Sequence, residues 1–305
     1  MYDLIIIGGG PGGLTSAIYG ARFGISTLLL EKQAAGGQIN LTEYIENYPG
    51  FDEPIFGYEL SQRMEKQAIK FGAKIIYEEV IEVDLKSEIK IVKTTESKYE
   101  AKTIIISTGA YPKRLFIPNE ENYIGRGISF CGTCDAPLFK GKTVAVIGGG
   151  DTALEEALII SKWADKVYII HRRDKFKGQK ILQNQVFKND KIKIIFNHIP
   201  IEFYGDNLLK GVKIKDVNDN NIKNLDVNGI FIFIGHLPNS KIFEGQVDLS
   251  ENGFIKVDRN MRTNILGVFA CGDVIEKELR QVTISVGEGA IAAYEAYKFL
   301  NESNS

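Results

Sequence analysis

The sequence predicts an α/β protein containing a duplicated strand–turn–helix–strand unit, on three observations. Leu4-Ile5-Ile6-Ile7 is a short unbroken apolar run, as in a strand buried on both faces of a parallel sheet. Glycines interrupt it, and Leu14, Ala17, Ile18 and Ala21 then recur at helical spacing. The same order returns later: Thr143-Val144-Ala145-Val146-Ile147, then Gly148-Gly149-Gly150, a helical stretch over 153–160, and Val167-Tyr168-Ile169-Ile170. The two units also share a length, since 23 positions separate Gly8 from Glu31 and Gly148 from His171. Such a repeat implies two related Rossmann-like, nucleotide-binding domains rather than one long domain.

The remaining elements follow from punctuation. Residues 26–30 form the second strand, ending in Glu31. Gly109-Ala110-Tyr111-Pro112 and Ile117-Pro118-Asn119 mark one chain crossing, and Gly235-His236-Leu237-Pro238-Asn239 another, because Pro and Gly resist continuation of helix or strand. Residues 267–270 read as a strand running through Cys271 into a tight turn at Gly272-Asp273. A small-residue helix over about 283–300 closes the chain, and the polar tail 301–305 is expected to fray. Trp163 reads as packing on the helix after the second glycine turn, and Cys271 as a small buried hydrophobe.

Composition excludes several classes. The 305 residues carry 37 Lys+Arg against 39 Asp+Glu, a formal net charge of −2, with 44% hydrophobic and 25% charged residues. At about 100–200 residues per domain this length suits two domains, each able to bury a core without staples. Near-neutral charge argues against a nucleic-acid or anionic-membrane binder, which needs a broad basic face. No apolar run approaches the roughly 18–20 residues of a membrane span. Met1-Tyr2-Asp3 lacks the basic start of a secretory leader. Three cysteines are too few for a disulfide framework and point to a reducing cytoplasm.

The first fingerprint is Gly8-x-Gly10-x-x-Gly13, with Pro11 where the helix opens. Its glycines allow a tight turn and a close approach of backbone to pyrophosphate, and the helix N-terminus offers free N–H groups and a favourable dipole. Glu31, ending the second strand, is placed to accept ribose hydroxyls. The flanking strand, helix and acid weigh against a glycine turn without a ligand. The second fingerprint, Gly148-x-Gly150-x-x-Ala153, encloses Asp151 and Thr152 and has Ala for the third glycine. Its second strand ends in His171-Arg172-Arg173, with Lys175 and Lys177 following. An acid there would bind a ribose diol and repel a 2′-phosphate. Guanidinium instead forms bidentate charge-assisted bonds to phosphate, so NADP(H) is expected over NAD(H), with a merely solvated basic turn as the alternative.

Cys131-Gly132-Thr133-Cys134 is followed at once by Asp135. Two thiols three positions apart can close a small reducible disulfide, and an adjacent acid can handle the proton that exchange requires. Structural zinc would need four ligands. The only other cysteine is Cys271, and His171, His198 and His236 are scattered, so no metal site is expected. Haem attachment wants His where Asp135 stands. Inert thiols are the remaining alternative. Asp135 itself reads either as a general acid/base or as the N-cap of a following helix.

With two dinucleotide units and a CxxC-Asp just ahead of the second, the chain resembles the low-molecular-weight thioredoxin reductases over nearly its whole length. Gly36-Gly37-Gln38 and Glu46-Asn47-Tyr48-Pro49-Gly50 are similar to that family's flavin-proximal segments, and Ser107-Thr108-Gly109-Ala110 to its second FAD motif. Gly272-Asp273 is similar to its ribityl-binding motif, with Arg280-Gln281-Val282 opening the helix beside the flavin. The resemblance implies a three-layer ββα architecture. An NADP-binding domain of residues 115–243, carrying the CxxC, is inserted in an FAD-binding domain of residues 1–114 and 244–305. It implies FAD and NADPH as cofactors and electron transfer from NADPH through FAD and a Cys131–Cys134 disulfide to thioredoxin. Cys134 would be the flavin-facing sulfur and Cys131 the nucleophile toward thioredoxin, in a homodimer with neither nucleic-acid nor membrane partner. Two positions depart from the family pattern. Lys177 replaces an arginine, keeping the charge and losing the fork, and Asp151 adds an acid near the pyrophosphate turn where relatives often carry Asn. Some relatives lack the basic motif and draw electrons from ferredoxin; His171-Arg172-Arg173 argues against that donor. The rivals are a glutaredoxin-like carrier or peroxiredoxin module as acceptor, and a flavin-binding redox sensor.

Overall fold

The computed structural model describes residues 1–42 and 44–302. The chain forms two compact units, one from Met1–Tyr111 together with the residues from 237 onward, the other Pro112–His236. The inserted unit therefore begins three residues before, and ends seven residues before, the expected 115–243. Residues 237–243 go with the first unit because Asn239 N–H donates to Gly109 O at 2.9 Å, Ser240 Oγ donates to Gly253 O, and Phe243 is fully buried in that unit's core. Residues 112–114 go with the second, where Lys113 N–H donates to Gly235 O and Arg114 pairs with Glu120 at 2.9 Å.

In the first unit Tyr2–Ile7 pairs in parallel with Thr27–Glu31 on one side and Lys98–Ile106 on the other, and Lys74–Tyr77 extends the sheet past Thr27–Glu31. Besides Tyr2–Ile7, the strand Lys98–Ile106 serves two further ladders. Its second half pairs in parallel with Val268–Ala270, Ile104 opposite Val268. Its first half pairs antiparallel with Lys90–Thr94, which carries Val80–Asp84. Leu4, Ile5, Ile6, Leu28, Leu29, Ile104 and Ile105 are all fully buried, as parallel strands covered on both faces require. The helices Pro11–Arg22 and Val282–Glu302 approach closely where Gly12 meets Gly289. A Cβ on Gly289 would lie 2.2 Å from Gly12 O, so only glycine lets the backbones close up. The last helix runs on through Asn301 and Glu302 rather than fraying there; residues 303–305 of the expected tail lie outside the described residues.

In the second unit the parallel order is Ile128–Ser129, Gly229–Phe233, Thr143–Gly148, Lys166–Ile170, Ile192–Ile195. Alternation sends Val144, Val146, Val167, Ile169 and Phe231 to one face, against Leu154, Ala157 and Ile160 of the helix Asp151–Ile160. Ala145, Ile147, Ile170, Ile230 and Ile232 go to the other, against Phe203, Val212 and Ile214 of an antiparallel sheet. That sheet comprises His198–Gly205, Leu209–Asp216 and Ile222–Asp226. Helices, parallel sheet and antiparallel sheet make three layers, each apolar face covered by the next. Trp163 lies beyond the end of the helix Asp151–Ile160 and is 40% exposed, so it is not the packing residue expected. Among the described residues no helix is long and apolar enough to cross a membrane.

Candidate active site

The first glycine turn is a junction of several segments. Gly8 N–H donates to Leu30 O at 2.8 Å, and Gly9 N–H to Glu31 Oε2 at 2.7 Å, so the acid ending the second strand is anchored on the turn. A Cβ on Gly13 would sit 1.9 Å from Gly8 O; that position admits only glycine. Gly36 N–H donates to Gly9 O, and the side-chain position of Gly37, beside Gln38, lies 3.5 Å from Gly10 Cα. Ser107 Oγ donates to Gly8 O at 2.6 Å. Its neighbour Thr108 exchanges two hydrogen bonds with Asn239, ahead of Gly109 and the buried Ala110.

The turn after Val268–Ala270 comes to the same helix, since the Cβ position of Gly12 is 3.5 Å from Gly272 N. Gly272 N–H donates to Glu288 Oε2 at 2.8 Å, and the same oxygen takes the Lys277 ammonium at 2.7 Å. Lys277 also lies 3.4 Å from Asp273 Oδ1. Asn47 Nδ2 donates to Gln281 Oε1 at 3.0 Å, immediately before Val282 opens the last helix. The Arg280 guanidinium lies over the Phe254 ring at 4.5 Å, and burial pulls its pKa down. Sequence reasoning missed Lys277 and Glu288. Each is an ordinary charge in the sequence, and only the fold reveals their partners.

This unit fits FAD. Gly10 has open space where a side chain would stand. Thr15 Oγ1 and Arg280 Nε are buried with no hydrogen-bond partner among the described residues, and Asp273 Oδ1 makes no hydrogen bond beyond its ion-pair contact with the Lys277 ammonium. Each such group costs about 1–3 kcal/mol when left unmatched, and a ligand with a pyrophosphate and several hydroxyls matches donors and acceptors of this kind.

The second glycine turn carries the basic loop. Lys177 N–H and Gly178 N–H both donate to Gly149 O, and Gln179 N–H donates to Asp151 Oδ1 at 2.6 Å. Asp151 thus ties the loop to the turn. Ala153 is fully buried, while Thr152 is exposed beside it and Gly150 faces open space. The His171 ring, 8% exposed, fills the space beside Gly149 and packs with Phe176 and Phe196. Burial depresses its pKa, with Arg173 and Arg172 pushing the same way, so it is neutral at physiological pH. Its Nε2 is buried without a partner. Arg172, Arg173 and Lys177 are exposed, and their side chains make no hydrogen bond or ion pair among the described residues. Three cations that are not paired with a carboxylate fit a phosphate monoester such as that of NADPH.

Cys131 and Cys134 are joined in a disulfide with Cα atoms 5.3 Å apart, at the start of the short helix Gly132–Asp135. Cys134 N–H donates to Cys131 Sγ at 3.2 Å, capping that helix. Ser129 Oγ donates to Asp135 Oδ2 at 2.6 Å and accepts from Cys131 N–H at 3.1 Å. Burial raises the Asp135 pKa, and the Ser129 bond opposes the rise. Asp135 does stand at the N-cap position of the following 3-10 segment Ala136–Phe139, but its side chain makes no capping hydrogen bond there and turns to Ser129 instead. Sequence reasoning also missed Ser129 and Glu156, whose carboxylate accepts from Thr133 Oγ1 at 3.1 Å. Cys271 stands apart in the first unit, fully buried beside Ser16.

Residues 2–289 match the family described as pyridine nucleotide-disulphide oxidoreductase. The thioredoxin reductase of Peptoclostridium acidaminophilum is 42% identical, covering 98% of this chain and 97% of that one. That of Rickettsia prowazekii is 44% identical, covering 98% of each. The crystal structure of thioredoxin reductase from Streptococcus pyogenes superposes with a TM-score of 0.92 at 42% identity, covering 99% of each chain. Likeness of this extent, in sequence and in coordinates, leaves a single assignment: the chain belongs to the pyridine nucleotide-disulphide oxidoreductase family, among its thioredoxin reductases.

Proposed function

We propose that the protein is an NADPH-dependent thioredoxin-disulfide reductase. The first unit holds FAD, the second holds NADPH, and Cys131–Cys134 is the redox couple. When bound, the two cofactors supply the hydride and two-electron chemistry. The turn Gly8, Gly10, Pro11 and Gly13 receives the FAD pyrophosphate, and Glu31 its ribose. Arg280 and Thr15 offer their unmatched atoms to the same ligand, and Asp273 the remaining accepting capacity of its carboxylate. Gly148, Gly150 and Ala153 form the corresponding turn for NADPH, with the 2′-phosphate on Arg172, Arg173 and Lys177.

Reduction adds two electrons and two protons to the Cys131–Cys134 bond. The Cys131 thiolate then attacks one sulfur of the thioredoxin disulfide and expels the other as a thiolate. Cys134 attacks the resulting mixed disulfide, closing the intramolecular bond and releasing dithiol thioredoxin. The hydrogen bond from Cys134 N–H orients the Cys131 sulfur. Asp135 takes a proton from the attacking thiol and gives one to the departing thiolate. The observation that carries this reading is the closed disulfide flanked by a half-buried carboxyl that Ser129 holds in place.

The reading includes a cytoplasmic homodimer. The ring cluster Tyr19, Phe23, Tyr294 and Tyr297, with Tyr19 and Tyr294 about half exposed, gives the first unit an apolar face of the kind that dimers cover. Sedimentation equilibrium tests it. The activity is tested with purified protein bearing the yellow flavin spectrum, NADPH and oxidised thioredoxin from the same source. NADPH-dependent appearance of thioredoxin thiols is expected. A colourless protein that binds no FAD, or flavin reduced by ferredoxin and not by NADPH, overturns the assignment.

A further inference from the structure

We propose that Glu156 is a positioning residue of the dithiol, clamping Gly132 and Thr133 so that the two thiols are preorganised to close. The proposal rests on Cys131–Cys134 being the redox couple assigned above, and it adds a residue to that couple from outside the turn.

Glu156 lies on the helix Asp151–Ile160, whose Ala153, Leu154, Ala157 and Ile160 are fully buried, so a rigid element delivers its carboxylate. Thr133 Oγ1 is 3.1 Å from Oε1 and 3.4 Å from Oε2. A Cβ on Gly132 would lie 2.3 Å from Oε2 and 3.0 Å from Ile160 Cδ1, so the carboxylate rests directly on the Gly132 backbone. Burial raises the Glu156 pKa, and hydrogen bonding by Thr133 and Gly132 offsets part of the rise. The two carboxyls beside the CxxC therefore act on different parts of it. Asp135 is joined through Ser129 to the backbone of Cys131, whereas Glu156 grips only the two residues between the sulfurs.

Closing a disulfide costs the chain entropy of the loop it closes. With Gly132 and Thr133 held by the helix, much of that freedom is already gone in the dithiol, so the clamp shifts the equilibrium toward the disulfide.

The test equilibrates the holoenzyme with glutathione buffers and reads the disulfide fraction by alkylation and mass. In this exchange the Cys131 and Cys134 thiols lose two electrons and two protons to glutathione disulfide, giving the protein disulfide and two glutathione thiols. Glu156→Ala is expected to lower the equilibrium constant for closure about tenfold, making the couple more oxidising by ~30 mV. Glu156→Gln keeps an oxygen that accepts from Thr133 and is expected to stay within about twofold of the native constant. Thr133→Val alters an exposed position and guards against misfolding of the Ala variant; a fall of about threefold is expected. A constant within about twofold of native in both Glu156→Ala and Thr133→Val overturns the clamp. Thioredoxin turnover of the native enzyme is measured alongside. Its absence overturns the functional assignment and leaves the glutathione reading intact, so the two failures are distinguishable.

Discussion

Ser129 and Asp135 share a short hydrogen bond, the serine Oγ lying 2.6 Å from Oδ2, and the same Oγ accepts from the Cys131 N–H. One hydroxyl thus joins the half-buried carboxyl to the backbone of a redox cysteine. Burial raises the Asp135 pKa and this bond lowers it, so Ser129→Ala removes the opposing influence and the pKa climbs further. In the pH profile of thioredoxin reduction, the limb reporting Asp135 should move to higher pH in Ser129→Ala. It should vanish in Asp135→Asn, with turnover reduced about a hundredfold, as loss of a general acid/base commonly brings. Flavin reduction by NADPH should be unchanged in both. A limb that stays in place in Ser129→Ala would separate the serine from the proton step.

Asp135 was readable from its neighbour in the chain, whereas Ser129 and Glu156 were not. A serine before a CxxC and a glutamate in a helix carry no chemical signature until the fold brings them to the turn. Both parallel sheets were legible because strands covered on both faces write themselves as unbroken apolar runs, as Leu4, Ile5 and Ile6 do. The antiparallel layer of the second unit was not. Its outer strand, Ile222–Asp226, reads Ile-Lys-Asn-Leu-Asp and is mostly exposed, with neither run nor alternation to betray it. The chain crossing was legible at Gly235-His236-Leu237-Pro238, but the expected boundary fell at 243 because nothing local reveals which core takes Phe243. That core is built largely from residues more than a hundred positions earlier.

The basic loop sets the choice between dinucleotides. Arg172 and Arg173 are exposed and unpaired among the described residues, so both guanidiniums are free to meet a 2′-phosphate. Charge-assisted bonds are worth about 1.5–3 kcal/mol each, so Arg172→Ala with Arg173→Ala should raise KM for NADPH about a hundredfold and leave KM for NADH within about threefold. Steady-state kinetics with both nucleotides decide it. Equal changes would make the loop a solvated turn.

Asp151 has two opposed effects that substitution can separate. Its charge stands at the glycine turn, where it repels pyrophosphate, yet its Oδ1 holds the basic loop through Gln179 N–H at 2.6 Å. Asn retains an oxygen that accepts this bond and drops the charge, so Asp151→Asn should lower KM for NADPH by about two- to fivefold. Asp151→Ala loses the tie as well and should raise it. If Asn and Ala shift KM in the same direction, the loop does not depend on this bond.

Cys271 gives the alkaline behaviour of the fold. Burial pushes its thiol from 9.0 up to about 12, with the Ser16 hydrogen bond opposing. The folded state therefore keeps this proton when the unfolded chain has lost it. The resulting stability is fully present below pH 9, the unfolded value, and is lost as pH rises toward 12. At about 1.4 kcal/mol per pH unit, the native protein should lose roughly 2 kcal/mol between pH 9 and 10.5 beyond what Cys271→Ala loses. Urea unfolding of both proteins at these two pH values measures the difference, and the other titrating groups cancel in the comparison. The same burial predicts that iodoacetamide at pH 8 labels no cysteine of the oxidised native protein and one after unfolding, because the thiolate is the reactive form. Labelling of Cys271 in the native state would show that its burial yields readily, and the alkaline loss should then be correspondingly small.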